Sequence, residues 1–357
     1  MKVLLITGSY PPMKCGVGAY TQRLAVALTE YGDMQVTVLT DVRASEAVTV
    51  NGIEVLSIVR GWGMIELFRI ARYIKQLNPD VVHIQYPTQG YSGRMPRFLP
   101  LLMRLLAKPC VQTWHEPVLG WSGVLLAIGL RVLVTVREDF MGSIPKLTQK
   151  ALKRTKLIWI PAASLLPTAK LSDEQRLKFR QSYASENDVL LTYYGFVAPL
   201  KGIEALFEIV AKTNARLLMA CDFLSDDDYH RSLLDNIAIM GIASRITIMG
   251  FLPEDQLASI LASSDAVVLP FRDGAGAWNT SIDGAVAQGV FVLSTSVIVN
   301  GYNNERNIYF AKPGNVDEMI AAIQKYAGQH IACKQPILEW RNIAEQHLNV
   351  YKQLVLI

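Results

Sequence analysis

A chain of 357 residues is more consistent with two domains than with one. Hydrophobic residues make up 51% of it and charged residues 18%, a composition that supports a large core and excludes a disordered chain. The formal net charge of +4 is too small to indicate a nucleic-acid-binding protein, and the sequence carries no nucleic-acid-binding motif. The four cysteines lie far apart, as expected for reduced thiols of a cytoplasmic protein.

The apolar segments of the sequence predict no membrane-spanning helix. The N-terminus leads directly into an apolar strand, so we expect no signal peptide. The longest mostly apolar segment, residues 118–130, has 13 residues, too few to cross a bilayer. We therefore expect a cytoplasmic protein that is either soluble or bound peripherally at the inner face of the membrane.

The first half of the chain alternates strands with helices. Strands are predicted at residues 2–7, 34–40, 53–59, 80–85, 109–114, 132–136 and 157–162, and helices at 20–31, 64–77 and 99–107. Strands rich in Val, Ile and Leu that alternate with helices are typical of a parallel sheet covered on both faces.

The same pattern restarts after a polar segment, residues 168–188, which we interpret as a linker. Further strands are predicted at residues 189–195, 216–221, 245–250, 266–269 and 290–293, and helices from 203, from 254, at 281–288 and at 337–355. We expect an N-terminal domain of residues 1–167, to which the C-terminal helix of residues 337–357 returns, and a second domain of residues 189–336. The predicted fold class is α/β, with two doubly wound, Rossmann-like domains facing a central cleft.

A glycine-rich loop follows the predicted strand at residues 266–269 and leads into a helix. Asn279, Thr280 and Ser281 are favourable N-cap residues, which mark the start of that helix. A helix N-terminus presents unpaired backbone N–H groups and a positive dipole end, an arrangement that suits a phosphate. An ordinary strand-to-helix turn is the alternative.

A second loop, from Gly8 to Gly18, joins the first strand to the first helix. Gly16 and Gly18 allow close approach of a ligand to the backbone. A dinucleotide-binding fingerprint places its glycines more compactly after the strand, so a mobile loop is the alternative. In a nicotinamide-dependent oxidoreductase, Asp41 at the end of the second strand would hold a ribose, but the length of the loop argues against that function.

Several polar side chains fall near the carboxyl ends of predicted strands, where ligands bind in open α/β sheets. His115 follows the strand at residues 109–114 and is a candidate for ligand contact, with a structural role as the alternative. Gln85 and Tyr86 lie near the end of another strand and are candidates for substrate contact, whereas His83 lies inside it and is predicted to be structural. Lys201 precedes a helix and can neutralise a phosphate; a solvated lysine is the alternative.

Two basic stretches lie in the first half of the chain. Arginines and lysines alternate with leucines over residues 94–108, and five more basic residues follow at 146–156. A basic amphipathic helix can bind an anionic membrane surface. Solvated helices that pack their leucines on the sheet are the alternative.

Motifs along nearly the whole chain resemble one enzyme family. They are the Pro-Pro, glycine-rich loop and helix at residues 11–28, the strand ending in His-Glu at 111–117, the segment ending in Lys-Gly and a helix at 193–206, the stretches at 250–271 and 285–295 that flank the loop, and the helix at 337–354. Together they resemble a family 4 glycosyltransferase of the GT-B architecture.

The sequence departs from that family at three places. Phe196 stands where the family commonly has arginine. The two glutamates that many members carry around the donor loop fall on Gly276 and Gly284. The segment PFRDG at residues 270–274 resembles the P-F-x-D-G loop of a bacterial subset that also lacks the glutamate pair. Members of that subset often have basic residues where this chain has Trp278 and Asn279.

The resemblance implies a retaining glycosyltransferase that moves a sugar from a nucleotide-sugar to a glycan or lipid-linked acceptor, in surface polysaccharide or glycolipid synthesis. We expect no cofactor and no metal site, because fixed positive groups can take the place of a metal. A non-catalytic sugar-nucleotide-binding protein is the alternative that accounts for the missing glutamates.

The resemblance also implies roles for individual residues. The diphosphate of the donor is expected to bind Lys201, the backbone of Gly16 and Val17, and the N–H groups of Asn279, Thr280 and Ser281. His115 is expected to contact the sugar from the opposite wall of the cleft. Asp273 is expected to bind the sugar hydroxyls and Asp283 the ribose.

Overall fold

The computed structural model describes residues 1–45, 52–276, 278–335 and 337–356. These residues form two compact units. The first contains Met1–Ala163 together with the chain from Leu338 onward, and the second contains Ser164–Ile337. Ala277 in the predicted donor loop lies outside the described residues. So do Pro336 and Ile357, on which the predicted ends of the second domain and of the last helix fall.

The first unit is built on a seven-stranded parallel sheet in the order β3-β2-β1-β4-β5-β6-β7. The strands are β1 (Lys2–Ile6), β2 (Gln35–Asp41), β3 (Glu54–Val59), β4 (Val81–Tyr86), β5 (Cys110–Trp114), β6 (Val132–Thr135) and β7 (Lys156–Trp159). The strand order reverses between β1 and β4, which is the switch point of a doubly wound sheet.

Helices cover both faces of this sheet. They are α1 (Gly16–Thr29), α2 (Met64–Leu77), α3 (Leu99–Leu105), α4 (Trp121–Ala127), α5 (Lys146–Ala151) and the C-terminal helix Trp340–Val355. Side chains alternate along a strand, so Val3 and Leu5 of β1 pack in a core with α1 and the C-terminal helix. Leu4 and Ile6 pack in a second core with α2 and α3. This double burial explains the uninterrupted apolar run in β1.

The second unit has its own seven-stranded sheet, in the order β10-β9-β8-β11-β12-β14-β13. The strands are β8 (Val189–Tyr194), β9 (Ala215–Ala220), β10 (Ile246–Ile248), β11 (Ala266–Leu269), β12 (Val292–Thr295), β13 (Gly301–Asn303) and β14 (Ile308–Ala311). Only the β13–β14 pair among them is antiparallel.

Six helices accompany the second sheet in the described part of this unit. They are α6 (Asp173–Gln181), α7 (Glu204–Lys212), α8 (Asp228–Ile239), α9 (Glu254–Ala262), α10 (Thr280–Val286) and α11 (Val316–Tyr326), so the C-terminal helix is α12. The predicted fold class of two Rossmann-like α/β units is confirmed. No helix among the described residues has both the length and the apolarity needed to cross a bilayer.

The segment predicted as a linker is structured and belongs to the second unit. Ser172 and Gln175 form a reciprocal capping box that starts α6. Near the end of this helix, the Arg180 guanidinium Nε lies 2.9 and 3.0 Å from the two carboxylate oxygens of Asp265. Asp265 also accepts the Leu190 backbone N–H at the start of β8. These bonds attach α6 to the sheet. The polar composition of residues 168–188 is due to the exposure of this helix, which has no buried residue.

One predicted strand lies at a different position in the structure. Residues 290–293 were expected to form it, but β12 begins at Val292, and Val290 instead makes an isolated bridge to His330. Asn307 explains the shift, because its carbonyl accepts the Val292 N–H while its side-chain amide donates to the Gly289 carbonyl.

Candidate functional site

In the second unit, the carboxyl ends of the neighbouring strands β8 and β11 bring two predicted segments together. The chain after β8 forms a single 3-10 turn, Pro199–Lys201, and the chain after β11 forms the glycine-rich loop. The Arg272 N–H donates to the Leu200 carbonyl at 3.0 Å, and the Arg272 guanidinium lies 3.0 Å from a carboxylate oxygen of Glu204. The turn that carries Lys201 is therefore fixed directly to the loop.

Gly202 makes this contact possible. Its φ of 66° lies in the left-handed region, and a Cβ at this position would lie 2.0 Å from the Pro270 carbonyl oxygen. Only glycine allows that approach. On the same turn, the Lys201 ammonium lies 4.8 Å from the centroid of the buried Phe271 ring, within the range of a cation–π contact. Lys201 is thus held beside the loop at the end of the sheet.

The loop uses two of the three backbone N–H groups that were expected to bind phosphate. The Asn279 N–H donates to the Gly276 carbonyl at 3.0 Å, and the Thr280 N–H donates to the Trp278 carbonyl at 3.1 Å. Helix α10 begins at Thr280, but Asn279 does not cap it with its side chain. The Asn279 amide oxygen instead accepts the Gly276 N–H at 2.8 Å. Of the three groups, the Ser281 N–H alone makes no bond to the described chain.

Aromatic side chains occupy the space beside Gly276 and Gly284, the two glycines expected at the family's glutamate positions. A Cβ at Gly276 would lie 2.1 Å from the Trp278 indole. A Cβ at Gly284 would lie 2.8 Å from the Tyr194 hydroxyl and 2.9 Å from the Ser164 hydroxyl. The Tyr194 hydroxyl donates to the Ser281 carbonyl in the first turn of α10. A larger side chain at either glycine would have to displace its neighbours.

The two aspartates predicted to contact the donor differ in their surroundings. Asp283, in α10, forms an ion pair with Arg306 at 2.5 Å. Burial raises the pKa of the Asp283 carboxyl, and Arg306 opposes that shift. Asp273 is exposed in the turn after Phe271, without a hydrogen bond or ion pair to the described chain. Arg306 was not predicted as a site residue, because its pairing with Asp283 spans 23 residues and leaves no local pattern in the sequence.

In the first unit, Gly16 and Val17 form the start of α1. The preceding Cys15 is extended, and the N–H groups of the first turn have no acceptors within the helix. A Cβ at Gly16 would meet no atom within 4 Å, so its backbone faces open space. Gly18 differs, because a Cβ there would lie 2.9 Å from the Ser9 carbonyl oxygen. Gly16 therefore leaves the helix end accessible, whereas Gly18 allows tight packing.

His115 lies immediately after β5, as predicted. Its backbone N–H donates to the Tyr86 carbonyl at 2.9 Å, and its ring Nε2 lies 2.8 Å from the Gln85 side-chain oxygen. The Tyr20 ring of α1 packs edge-on against the half-buried imidazole, at a centroid distance of 4.7 Å. Burial lowers the pKa of His115 to about 3, so the ring is neutral at physiological pH.

The prediction for Gln85 is wrong. Its side chain is fully buried and hydrogen-bonded to His115 and His83, so it is not exposed to a substrate. The residue lies one position short of the strand end, where side chains still point into the layers that cover the sheet. His83 is fully buried, which agrees with the structural role predicted for it.

Asp41, the ribose ligand of the oxidoreductase alternative, is already bound within the protein. The buried carboxylate accepts from the Arg43 guanidinium at 2.7 Å and from the Trp62 indole N–H at 3.0 Å. Burial raises the pKa of Asp41, but these hydrogen bonds outweigh it and hold the pKa below its usual value. A ribose hydroxyl would have to compete with both partners.

Comparisons with known proteins match both halves of the chain. A family model described as a glycosyl transferase 4-like domain matches residues 15–155, and one described as glycosyl transferases group 1 matches residues 188–329. An uncharacterized glycosyltransferase of Methanocaldococcus jannaschii, MJ1607, is 22% identical, and the match covers 99% of this chain and 98% of that protein.

Solved structures of similar fold cover nearly the whole chain. A sucrose-phosphate synthase from Thermosynechococcus elongatus matches with a TM-score of 0.75 and 16% identity, covering 99% of each chain. Anabaena HepE, solved with UDP and glucose, matches with a TM-score of 0.74 and 15% identity, covering 99% of this chain and all of that one. At such identities these structures establish the fold alone.

The contact at Gly202 can be tested against a matched glycine. Gly241 has the same φ of 66°, but a Cβ there would meet no atom within 4 Å. We expect Gly241→Ala to lower the free energy of unfolding by about 1 kcal/mol through backbone strain alone. Gly202→Ala adds the clash with Pro270 and should lower it by about 3 kcal/mol. Denaturant unfolding measures both values, and equal losses would contradict the packing described for Gly202.

The aromatic occupation of the Gly284 site predicts energetic coupling to Tyr194. Gly284→Ala should destabilise the protein by about 1–3 kcal/mol through overpacking, and Tyr194→Phe by about 1 kcal/mol through the lost hydrogen bond. In the double variant the loss should fall short of the sum by at least about 0.5 kcal/mol. Tyr193→Phe is the control, because its hydroxyl bonds to the Phe196 carbonyl and should add independently to Gly284→Ala. Strict additivity of the Tyr194 pair would contradict the arrangement.

Proposed function

We propose that this chain transfers a sugar from a nucleoside diphosphate sugar with retention of configuration. Its two matched domains identify it as a glycosyltransferase of the GT-B architecture. The observation that carries the proposal is the packing of the Lys201 turn against the loop that begins at Pro270. As the glycosidic bond breaks, negative charge grows on the leaving diphosphate. An ammonium group held in place beside that leaving group stabilises the charge without having to reorganise.

The hydrogen bonds within the loop indicate which backbone and side-chain groups would contact the phosphates. Because the N–H groups of Asn279 and Thr280 are already bonded within the loop, we assign the backbone contact to Ser281 and leave side-chain contacts to Asn279 and Thr280. In the first unit, the free first turn of α1 at Gly16 and Val17 supports a second contact to the diphosphate. The UDP bound to HepE supports a uridine diphosphate sugar as the first donor to test.

The remaining site residues are assigned to the sugar and the nucleoside. His115, which is neutral, would hydrogen-bond a sugar hydroxyl, and the exposed Asp273 carboxylate would bind others. Asp283 would use the carboxylate oxygen not paired with Arg306 for a ribose hydroxyl. Since glycines replace the glutamate pair, we infer that the donor is held as in the P-F-x-D-G subset. The acceptor would be a glycan or a lipid-linked sugar used in surface polysaccharide or glycolipid synthesis.

The experiment compares Lys201→Met with Lys212→Met. Both changes keep an unbranched apolar stem, but Lys212 is half-exposed and paired with Asp317 on the surface. We expect UDP-sugars to raise the melting temperature of the wild-type protein, and UDP release with glycan or lipid-linked acceptors to identify the donor. Lys201→Met should lower kcat about 100-fold, the usual effect of losing one preorganised group that stabilises transition-state charge. Lys212→Met should leave kcat unchanged.

Three outcomes of that experiment would contradict the proposal. Stabilisation by a UDP-sugar without any transfer or hydrolysis would indicate the non-catalytic binding protein. A response to NAD(P) alone would indicate the oxidoreductase. An equal loss of activity in both lysine variants would remove the special role of Lys201.

We further propose that the first unit contacts an anionic membrane surface through the Trp121 patch, which consists of Leu119, Trp121, Lys146 and Lys150. Leu119 and Trp121 are 68% and 74% exposed. Helices α4 and α5 pack closely, since a Cβ at Gly123 would lie 2.7 Å from the Thr148 hydroxyl. The exposed lysines of α5 are therefore near the apolar side chains.

The charge of this region supports an anionic partner. Residues 94–156 contain eleven Lys or Arg and three Asp or Glu, a net charge of +8, whereas the whole chain has +4. In α3, by contrast, Leu99 and Met103 are buried in the core while Leu105 is exposed, so the predicted packing on the sheet holds for one face of that helix. Basic residues beside exposed Trp and Leu favour binding at the headgroup level.

Vesicle sedimentation tests the patch. We expect the protein to bind phosphatidylglycerol-containing vesicles better than phosphatidylcholine vesicles, and less well in high salt. The double variant Leu119→Ser with Trp121→Ser should bind about tenfold more weakly, because it loses apolar area that enters the interface. Ile239→Ser, at an 82% exposed apolar side chain of α8 in the second unit, is the control. Equal binding by the double variant and this control would refute the assignment.

A further inference from the structure

A network of hydrogen-bonded, buried polar side chains lies beside His115 in the first unit. His115 Nε2 lies 2.8 Å from Gln85 Oε1, and Gln85 Nε2 lies 3.3 Å from His83 Nε2. His83 Nε2 is also 2.7 Å from the Thr113 hydroxyl, and His83 Nδ1 is 2.6 Å from the Tyr351 hydroxyl of α12. Gln85, His83 and Thr113 are fully buried. The network therefore extends from His115, at the end of β5, to the C-terminal helix α12.

The Gln85 amide determines which ring nitrogen of His115 and of His83 carries the proton. The Gln85 carbonyl oxygen can only accept, so His115 must donate from Nε2. The Gln85 amide nitrogen can only donate, so His83 must accept at Nε2 and carry its own proton on Nδ1, which then donates to the Tyr351 hydroxyl oxygen. The Thr113 hydroxyl completes the pattern as a second donor to His83 Nε2. Both imidazoles are neutral in this arrangement, and the two donors share the single lone pair of His83 Nε2.

The groups around His115 keep it neutral and leave one nitrogen available. The titratable side chains that face it are Tyr20 from α1, His83 from β4 and His347 from α12. Tyr20 contacts the ring with its edge, while its hydroxyl lies 3.0 Å from His347 Nε2. Burial lowers the pKa of all three histidines, so none of them is a cation at neutral pH. His115 Nδ1 makes no hydrogen bond to the described chain.

We propose that Gln85 is a positioning residue that holds His115 as the Nε2–H tautomer, so that its bare Nδ1 accepts a hydrogen bond from a hydroxyl of the sugar. The group acts as a fixed acceptor and not as a proton donor. The identity of the ligand rests on the proposed function, whereas the tautomer and its dependence on Gln85 do not. No three His, Cys, Asp or Glu side chains of the described chain are arranged to hold a metal ion, so the histidine cluster is a hydrogen-bonded assembly.

Nitrogen-15 NMR of the histidines tests the tautomer in the protein without ligand. The chain has only five histidines, and the loss of one signal set in His115→Asn assigns the ring. We expect the Nε2–H tautomer for His115, unchanged between about pH 6 and 8 because burial disfavours the charged ring. A proton on Nδ1, or titration of the ring near its ordinary pKa, would overturn the proposal.

Variants at Gln85 separate positioning from folding. Gln85→Met keeps the length of the side chain but cannot fix the tautomer, so His115 should populate both neutral forms. Gln112→Met is the matched control, since Gln112 is also a buried amide of the sheet but bonds to the Leu126 carbonyl and the Trp114 indole. An unchanged His115 tautomer in Gln85→Met, or the same change in Gln112→Met, would overturn the role of Gln85.

Gln85→Glu gives a pH-dependent readout. A carboxylate beside His115 Nε2–H favours the imidazolium, which carries a proton on Nδ1 and cannot accept. Its pKa should therefore rise, and UDP-sugar affinity should be about tenfold lower at one pH unit below the raised pKa than well above it, whereas the wild type should be nearly constant over that range. Constant affinity in Gln85→Glu despite a raised His115 pKa would overturn the contact with the sugar. If the wild type bound no nucleotide-sugar at all, the proposed function would fail and the NMR result would still decide the role of Gln85.

Discussion

The approach of Gly202 to the Pro270 carbonyl is the contact on which the second unit's site depends. Two neighbouring strands, β8 and β11, end at the same edge of the sheet, and this contact joins the loops that follow them. A residue with a Cβ would hold the loops apart, and the hydrogen bond from Arg272 to Leu200 could not form. Lys201 gains its fixed position from this contact. An otherwise flexible lysine becomes a preorganised charge because its backbone neighbour has no side chain.

Space is equally limited at the two glycines expected at the glutamate positions. Gly276 and Gly284 are not vacant positions, because the Trp278 indole and the Tyr194 hydroxyl lie where a side chain would begin. Beside the proposed diphosphate, glycines at these positions bring no negative charge, whereas a glutamate pair would bring two. Asp283 remains, but Arg306 neutralises it. In the proposed function, the loop would therefore hold an anionic leaving group with a single lysine and few free N–H groups.

The sequence predicted the two doubly wound sheets because their central strands are buried on both faces and form long apolar runs. Helices α4, α6 and α11 and strand β14 were not predicted. Helix α2 was predicted at both ends, since Gly63 precedes it and the left-handed Asn78, followed by Pro79, ends it. Strand β13 was missed because its Gly-Tyr-Asn sequence is stabilised by a tertiary contact, the stacking of Tyr302 on Tyr326 at 4.1 Å. The same difference between local and tertiary signals applies to the candidate site. His115 and Lys201 were proposed as site residues from their positions after strands, and the structure places both there. Arg306 and the pairing of Gln85 with His115 require knowledge of which segments are neighbours in the fold.

The histidine cluster also explains why the C-terminal helix belongs to the first unit. Apolar contacts by Ile343 and Leu354 would bind the helix at several registers, because such contacts are not directional. Tyr351 and His347 each have a buried hydrogen-bond partner, His83 and Tyr20, and a shift by one turn would leave those groups unpaired. The register of α12 and the tautomer of His83 are therefore mutually dependent. Through Gln85, the orientation of His115 depends on a helix more than 200 residues away in sequence.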